Sequence, residues 1–172
     1  SLTDAQKKEG VVTASSGNHG MASAQAARVA GTKATIYLPE NVSPVKLANV
    51  KRLGATPKLV PGNSVDAERA AAIAAAEQGL TYISPYSDED IIAGQGTIGA
   101  ELQRQCPDLD AVFICVGGGG LISGIGSYIK HARPEVKLFG CQPENSPEMA
   151  LSVQQNQYRA WRQSPCPLAR SP

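Results

Sequence analysis

AVFICVGGGGLISG, residues 111–124, decides how the rest of the chain is read. Six apolar residues rich in β-branched and aromatic types, Ala111 to Val116, are too few for a helix of ordinary length and fit a buried strand. Four glycines follow, and Leu121 then opens a segment of helical spacing. Glycine without a Cβ lets the backbone take positive φ and come close to another group. At a helix N-terminus the unpaired amides and the helix dipole favour an anion. Four glycines in a row cost stability through chain entropy, each up to about 1 kcal/mol relative to alanine. Close approach of a phosphate gives a physical reason to carry that cost, where a plain strand-to-helix turn gives none.

Outward from this unit the same rhythm repeats. Strands are expected at Gly10 to Ala14, Ala34 to Leu38, Thr56 to Val60, Leu80 to Ile83, Ala111 to Val116 and Val136 to Cys141. Between them, helical spacing covers Gly20 to Ala30, Pro44 to Leu53, Ser64 to Gln78, Ala93 to Gln105 and Leu121 to His131. Gly31, Gly54 and Gly79 stand where a left-handed residue closes a helix, Asn63 or Ser64 can cap one, and Pro107 stops another. Short strands alternating with helices predict an α/β chain of doubly wound, mostly parallel open sheets covered on both faces. From Val153 the rhythm gives way to Gln154, Gln155, Asn156, Gln157 and later prolines, so residues 152–172 are expected to form a disordered or poorly packed tail.

A second loop, TASSGNHG at residues 13–20, also follows a strand and opens a helix. Ser15, Ser16, Asn18 and His19 gather hydroxyls, an amide and an imidazole beside free helix amides. That set can cradle a carboxylate and let a hydroxyl move a proton. Taken singly, each residue reads more simply as an N-cap or an edge histidine. Together, both loops fall at the carboxyl ends of parallel strands, the side on which open α/β sheets bind ligands.

Bulk properties narrow the partners. With 16 basic and 15 acidic residues in 172, the net charge of +1 provides no field that would draw nucleic acid or a membrane surface. A small neutral or zwitterionic ligand fits better. Cys106, Cys115, Cys141 and Cys166 lack C-x-x-C spacing, and Cys115 and Cys141 within apolar runs read as buried, reduced thiols of a cytoplasmic protein. The longest apolar run is far too short to cross a bilayer, and the first residues have no signal-peptide character. A dinucleotide fits the glycine loop poorly, because G-x-G-x-x-G from Gly117 or Gly118 would need glycine at Ile122 or Ser123. Gln142 stands where a ribose-binding acid is wanted. A Rossmann-type nucleotide domain therefore remains only as a further alternative.

Taken in order, residues 13–20, IAGQGTIG at 92–99 and GGGGLISG at 117–124 resemble the fold type II pyridoxal-phosphate enzymes, closest to threonine/serine dehydratases and serine racemases. The similarity runs over about residues 1–151. It implies pyridoxal 5'-phosphate as cofactor, its phosphate held by Gly117, Gly118, Gly119, Gly120 and the amide of Leu121. It implies a substrate carboxylate gripped by Ser15, Ser16, Asn18 and His19, with Asn18 meeting the cofactor's phenolic oxygen and Ser16 shuttling a proton. The implied reaction is β-elimination of serine, threonine or a related β-hydroxy amino acid to a 2-oxo acid and ammonia. Residues 1–9 would end a preceding large-lobe segment, 10–87 form the small mobile lobe and 88–151 belong to the large lobe. A homo-oligomer is implied for the full-length protein.

The pattern departs from the resemblance at both ends. The family's cofactor-bearing lysine should precede Ser1, and Lys7 and Lys8 look like solvated helix charges. The family's later segment should follow residue 151. The expectation is a chain truncated at both ends and inactive alone, with a non-catalytic binding fragment as the alternative function. Some members bind a divalent metal with acids shortly after the glycine loop. Gln142 replaces one such acid, leaving Glu148 and Ser146, so no metal is expected.

Overall fold

The computed structural model describes residues 2–157. Its elements run α1 (Asp4–Glu9), β1 (Val11–Ala14), α2 (Asn18–Ala30), β2 (Ala34–Pro39), α3 (Pro44–Arg52), β3 (Thr56–Val60), α4 (Ser64–Gln78), β4 (Thr81–Tyr82), α5 (Glu89–Gln105), β5 (Ala111–Cys115), α6 (Gly120–Ala132), β6 (Lys137–Cys141) and α7 (Glu148–Gln155). The chain divides into two compact units between Asp88 and Glu89.

In the first unit four parallel strands lie in the order β3-β2-β1-β4. Side chains alternate across the sheet. Val11, Ile36 and Leu38 pack with Ala24, Ala27 and Val50 of α2 and α3 on one face. Val12, Ala14 and Tyr37 pack on the other against Ala67, Ala71, Ala74 and Ala75 of α4. That alanine ridge repeats at helical spacing and lets α4 lie close to the strands. Ile36 and Leu38 are wholly buried, and each contributes about 1.5–3 kcal/mol by leaving water. The edge strand β3 carries Pro57 and Lys58, which discourage pairing with another chain. Asn63 caps α4, while Gly31 and Gly79 close α2 and α4 in the left-handed conformation.

In the second unit β5 and β6 pair in parallel, Ala111 opposite Lys137 through Cys115 opposite Cys141. Ile114, Val112 and Leu138 face Ile122, Ile125 and Ile129 of α6. The other face is bare among the described residues. There Phe113 and Phe139 stack with ring centroids 4.8 Å apart, 71% and 43% exposed, and Cys115 and Cys141 are exposed beside them. Expected burial of these two cysteines, and of this sheet on both faces, is thus corrected. An apolar run marks a strand, but only the elements packed around it decide which face is covered.

Two helices depart from expectation. Helix α5 begins at Glu89, a turn before Ala93, with Glu89 and Asp90 complementing its N-terminal dipole. Helix α7 was not legible in the sequence; Ser152 to Gln155 form its last turn, and no residue of the helix is buried. Residues 158–172 of that tail lie outside the described residues. No helix among the described residues is long and apolar enough to cross a membrane.

Candidate active site

The glycine loop follows β5 directly. The Val116 amide still donates to the Cys141 carbonyl at 2.8 Å, and the first intrahelical bond of α6 runs from the Ser123 amide to the Gly119 carbonyl at 3.0 Å. Between them, the amides of Gly117 to Ile122 find no acceptor among the described residues. Gly119 caps α6 at φ 90° and ψ −14°, a left-handed conformation that turns the chain into the helix without any side-chain cap. A Cβ on Gly117 would touch no protein atom within 4 Å. The fold therefore does not itself require glycine there, and an incoming group would be the atom that a Cβ excludes. These are the features an anionic ester needs, so the residues present fit the phosphate of a cofactor.

The serine loop follows β1. Gly17 is the N-cap of α2 with no side-chain cap, so neither Ser16 nor Asn18 spends its polar atoms on the helix end. Ser15 Oγ accepts the Gly17 amide at 3.2 Å, which leaves its own proton for another acceptor. Asn18 is exposed and Ser15 and Ser16 are half-buried. Both serines line a cavity of ≈ 240 Å³ whose walls include Tyr37, Glu68 and Tyr86. Tyr86 Oη donates to Glu68 Oε2 at 2.6 Å. Sequence reasoning missed Glu68 and Tyr86, because helical and loop positions this far apart carry no local signal.

His19 turns inward. Its Nε2 lies 2.9 Å from Thr13 Oγ1, within β1. Burial holds its pKa below the ordinary 6.5, outweighing the Ile83 carbonyl and the Asp88 carboxylate, which both raise it. The unfolded chain therefore binds the proton more tightly than the folded one. This part of the stability is fully present above pH 6.5 and is lost as pH falls below it. Thermal unfolding of the first unit should drop in midpoint over that acid window, and His19→Gln should flatten the dependence. An unchanged slope in the variant would contradict the assignment.

The third motif, residues 92–99, is helical, as the spacing from Ala93 predicts. It lies inside α5, where Gly96 and Gly99 are buried against Gly124 and Tyr128 of α6. These two glycines serve helix packing. Beyond the glycine loop, Gln142 Oε1 accepts the Ala150 amide at 3.0 Å and Ser146 Oγ donates to Glu148 Oε2 at 2.9 Å, so both side chains are engaged within the loop and the first turn of α7.

Parallel α/β units, with a run of amides lacking acceptors after β5 and a polar loop after β1, define the class: a protein shaped to receive a small ligand bearing anionic groups. Against known families, residues 1–168 match "Pyridoxal-phosphate dependent enzyme". The chain is 42% identical over 153 residues to the L-threonine ammonia-lyase of Thermotoga maritima, covering 88% of this chain and 38% of that one. Among solved structures, the processed threonine deaminase isoform 2 of Solanum lycopersicum superposes with TM-score 0.86 at 37% identity, over 92% of this chain and 46% of that one. Maize serine racemase does so with TM-score 0.85 at 32% identity, over 95% and 50%. The chain thus spans half or less of the length of these relatives. It belongs to the family of pyridoxal-phosphate dependent enzymes.

Proposed function

We propose that the protein to which this chain belongs eliminates the β-hydroxyl of serine, threonine or a related amino acid, yielding a 2-oxo acid and ammonia. The observation that carries this is the run of amides from Gly117 to Ile122 with no acceptor, set directly after a parallel strand. When bound, pyridoxal phosphate supplies an electron sink that loosens the substrate's α-proton. The residues of this chain do the holding. Gly117, Gly118, Gly119, Gly120 and the Leu121 amide receive the phosphate. Ser15, Ser16, Asn18 and His19 form the substrate loop, Asn18 also reaching the cofactor's phenolic oxygen. Ser16 Oγ gives and takes a proton, since a hydroxyl can do both from one position. The likeness to threonine and serine enzymes supports a small amino acid as substrate, and exposed free thiols favour a reducing, cytoplasmic setting.

A second reading has its own observation. Every lysine but half-buried Lys7 is exposed. Lys7 pairs with Asp4, Lys58 lies over the Tyr37 ring and Lys130 donates to the Pro134 and Val136 carbonyls. A covalent cofactor lysine works from a desolvated pocket. By itself, then, this chain binds phosphate without turning substrate over.

Titration of pyridoxal 5'-phosphate into the labelled chain should shift the amide resonances of residues 117–121. Gly119→Ala places a side chain at φ 90°, which costs about 1–2 kcal/mol and should weaken that response roughly tenfold. Shifts absent from this loop in the unmodified chain would refute the phosphate assignment. Release of 2-oxo acid from serine or threonine by the full-length protein tests the reaction.

A further inference from the structure

Among the described residues, the buried polar side chains are Thr13, with no exposed surface, and Ser23. Both converge on one imidazole: His19 Nε2 lies 2.9 Å from Thr13 Oγ1 and 3.5 Å from Ser23 Oγ. Thr13 Oγ–H donates to the Ile83 carbonyl at 2.6 Å. A hydroxyl has one proton. With that proton on Ile83, Thr13 Oγ1 can only accept, so Nε2 must donate. The neutral ring then carries its hydrogen on Nε2 and leaves Nδ1 as the lone-pair nitrogen.

This network ties together three separate pieces of chain: the middle of β1, the first turn of α2 and the residue after β4. Residues 14–18 hang between two of its members. Valine would fill the Thr13 position with the same volume, and the flanking Val11, Val12 and Ala14 are apolar. A hydroxyl buried among them is tolerated only because both of its bonds are made.

We infer that Thr13 is a positioning residue, which through His19 holds the Ser15–Asn18 loop in the shape that receives the substrate carboxylate. The inference rests on the substrate assignment of that loop given above. Thr13 touches no substrate. It fixes the ring's tautomer and the distance between the strand and the helix, so that the loop amides and the Ser15 and Ser16 hydroxyls stay aimed without ordering on each encounter.

Nitrogen NMR of the histidine-labelled chain gives the first test, with no variant needed: the His19 ring should show a protonated Nε2 at neutral pH. L-Threonine is then titrated while the amides of residues 15–18 are followed. Thr13→Val should scramble the tautomer, move those amides and weaken the L-threonine response about tenfold, as expected for one lost buried bond. Thr13→Ser should restore all three, and the Ala71 amide in α4 reports whether the sheet and helix remain folded. An unprotonated Nε2 in the unmodified chain, or a folded Thr13→Val chain whose loop and affinity are unchanged, would overturn the inference. A wild-type loop that ignores L-threonine, while Thr13→Val still displaces it, would instead sink the substrate assignment on which the inference stands.

Discussion

Gly124→Ala lowers the unfolding midpoint of the second unit by roughly 10–20 °C, reflecting a loss on the order of 3 kcal/mol. Propensity alone points the other way, because alanine in a helix is better than glycine by about 1 kcal/mol. Packing decides. A Cβ at Gly124 would land on the Ile92 carbonyl, with Gln95 Cβ at 2.7 Å and the Gly96 amide nitrogen at 2.8 Å. Two of these are backbone atoms of α5 that cannot rotate away, so α6 must move off its neighbour and off the Ile125 and Ile129 packing it anchors. Gly94, in that same helix α5, has nothing within 4 Å of its Cβ position. Gly94→Ala should therefore be neutral or raise the midpoint slightly. Differential scanning calorimetry of both variants checks the sign reversal, and two variants of equal stability would show that the α5–α6 contact is not the tight one described.

Gly20→Ala should abolish the response of residues 15–18 to L-threonine and cost about 2–3 kcal/mol in the first unit. The added methyl would collide with the Ser15 carbonyl and press on Ile36 Cγ2 at 3.4 Å. Ile36 belongs to the fully buried core and cannot yield, so the Ser15 carbonyl must. Moving it shifts the Ser15 Oγ to Gly17 amide bond and the walls of the cavity that Ser15 and Ser16 line. Ser16→Ala, which removes one hydroxyl from a half-buried position, should leave stability within about 0.5 kcal/mol of the parent. Chemical denaturation separates the two effects. A stable Gly20→Ala chain with an unaltered loop would show that the close approach to Ser15 is not needed.

These predictions use glycines that look alike in sequence. Gly96 and Gly99 seat α5 on α6 together with Gly124, whereas Gly117 to Gly120 leave amides bare. Helical spacing placed the first pair in a helix and the second set in a loop, but which atoms of distant segments come within van der Waals reach of each glycine was not legible. Thr13 is a parallel case. It reads as one more β-branched residue of an apolar strand, and its hydroxyl acquires meaning only from Ile83, 70 residues away.

By itself the sequence determined the alternation of parallel strands and helices, most of their limits, and the placement of two polar or glycine-rich loops after β1 and β5. Those features follow from local periodicity, capping and turn chemistry, which act over a few neighbouring residues. The tertiary structure alone decided the strand order β3-β2-β1-β4, the uncovered face bearing Phe113, Phe139, Cys115 and Cys141, and the inward turn of His19. Each of these depends on contacts between segments far apart in the chain, and a residue's own neighbours in sequence do not encode what will pack against it.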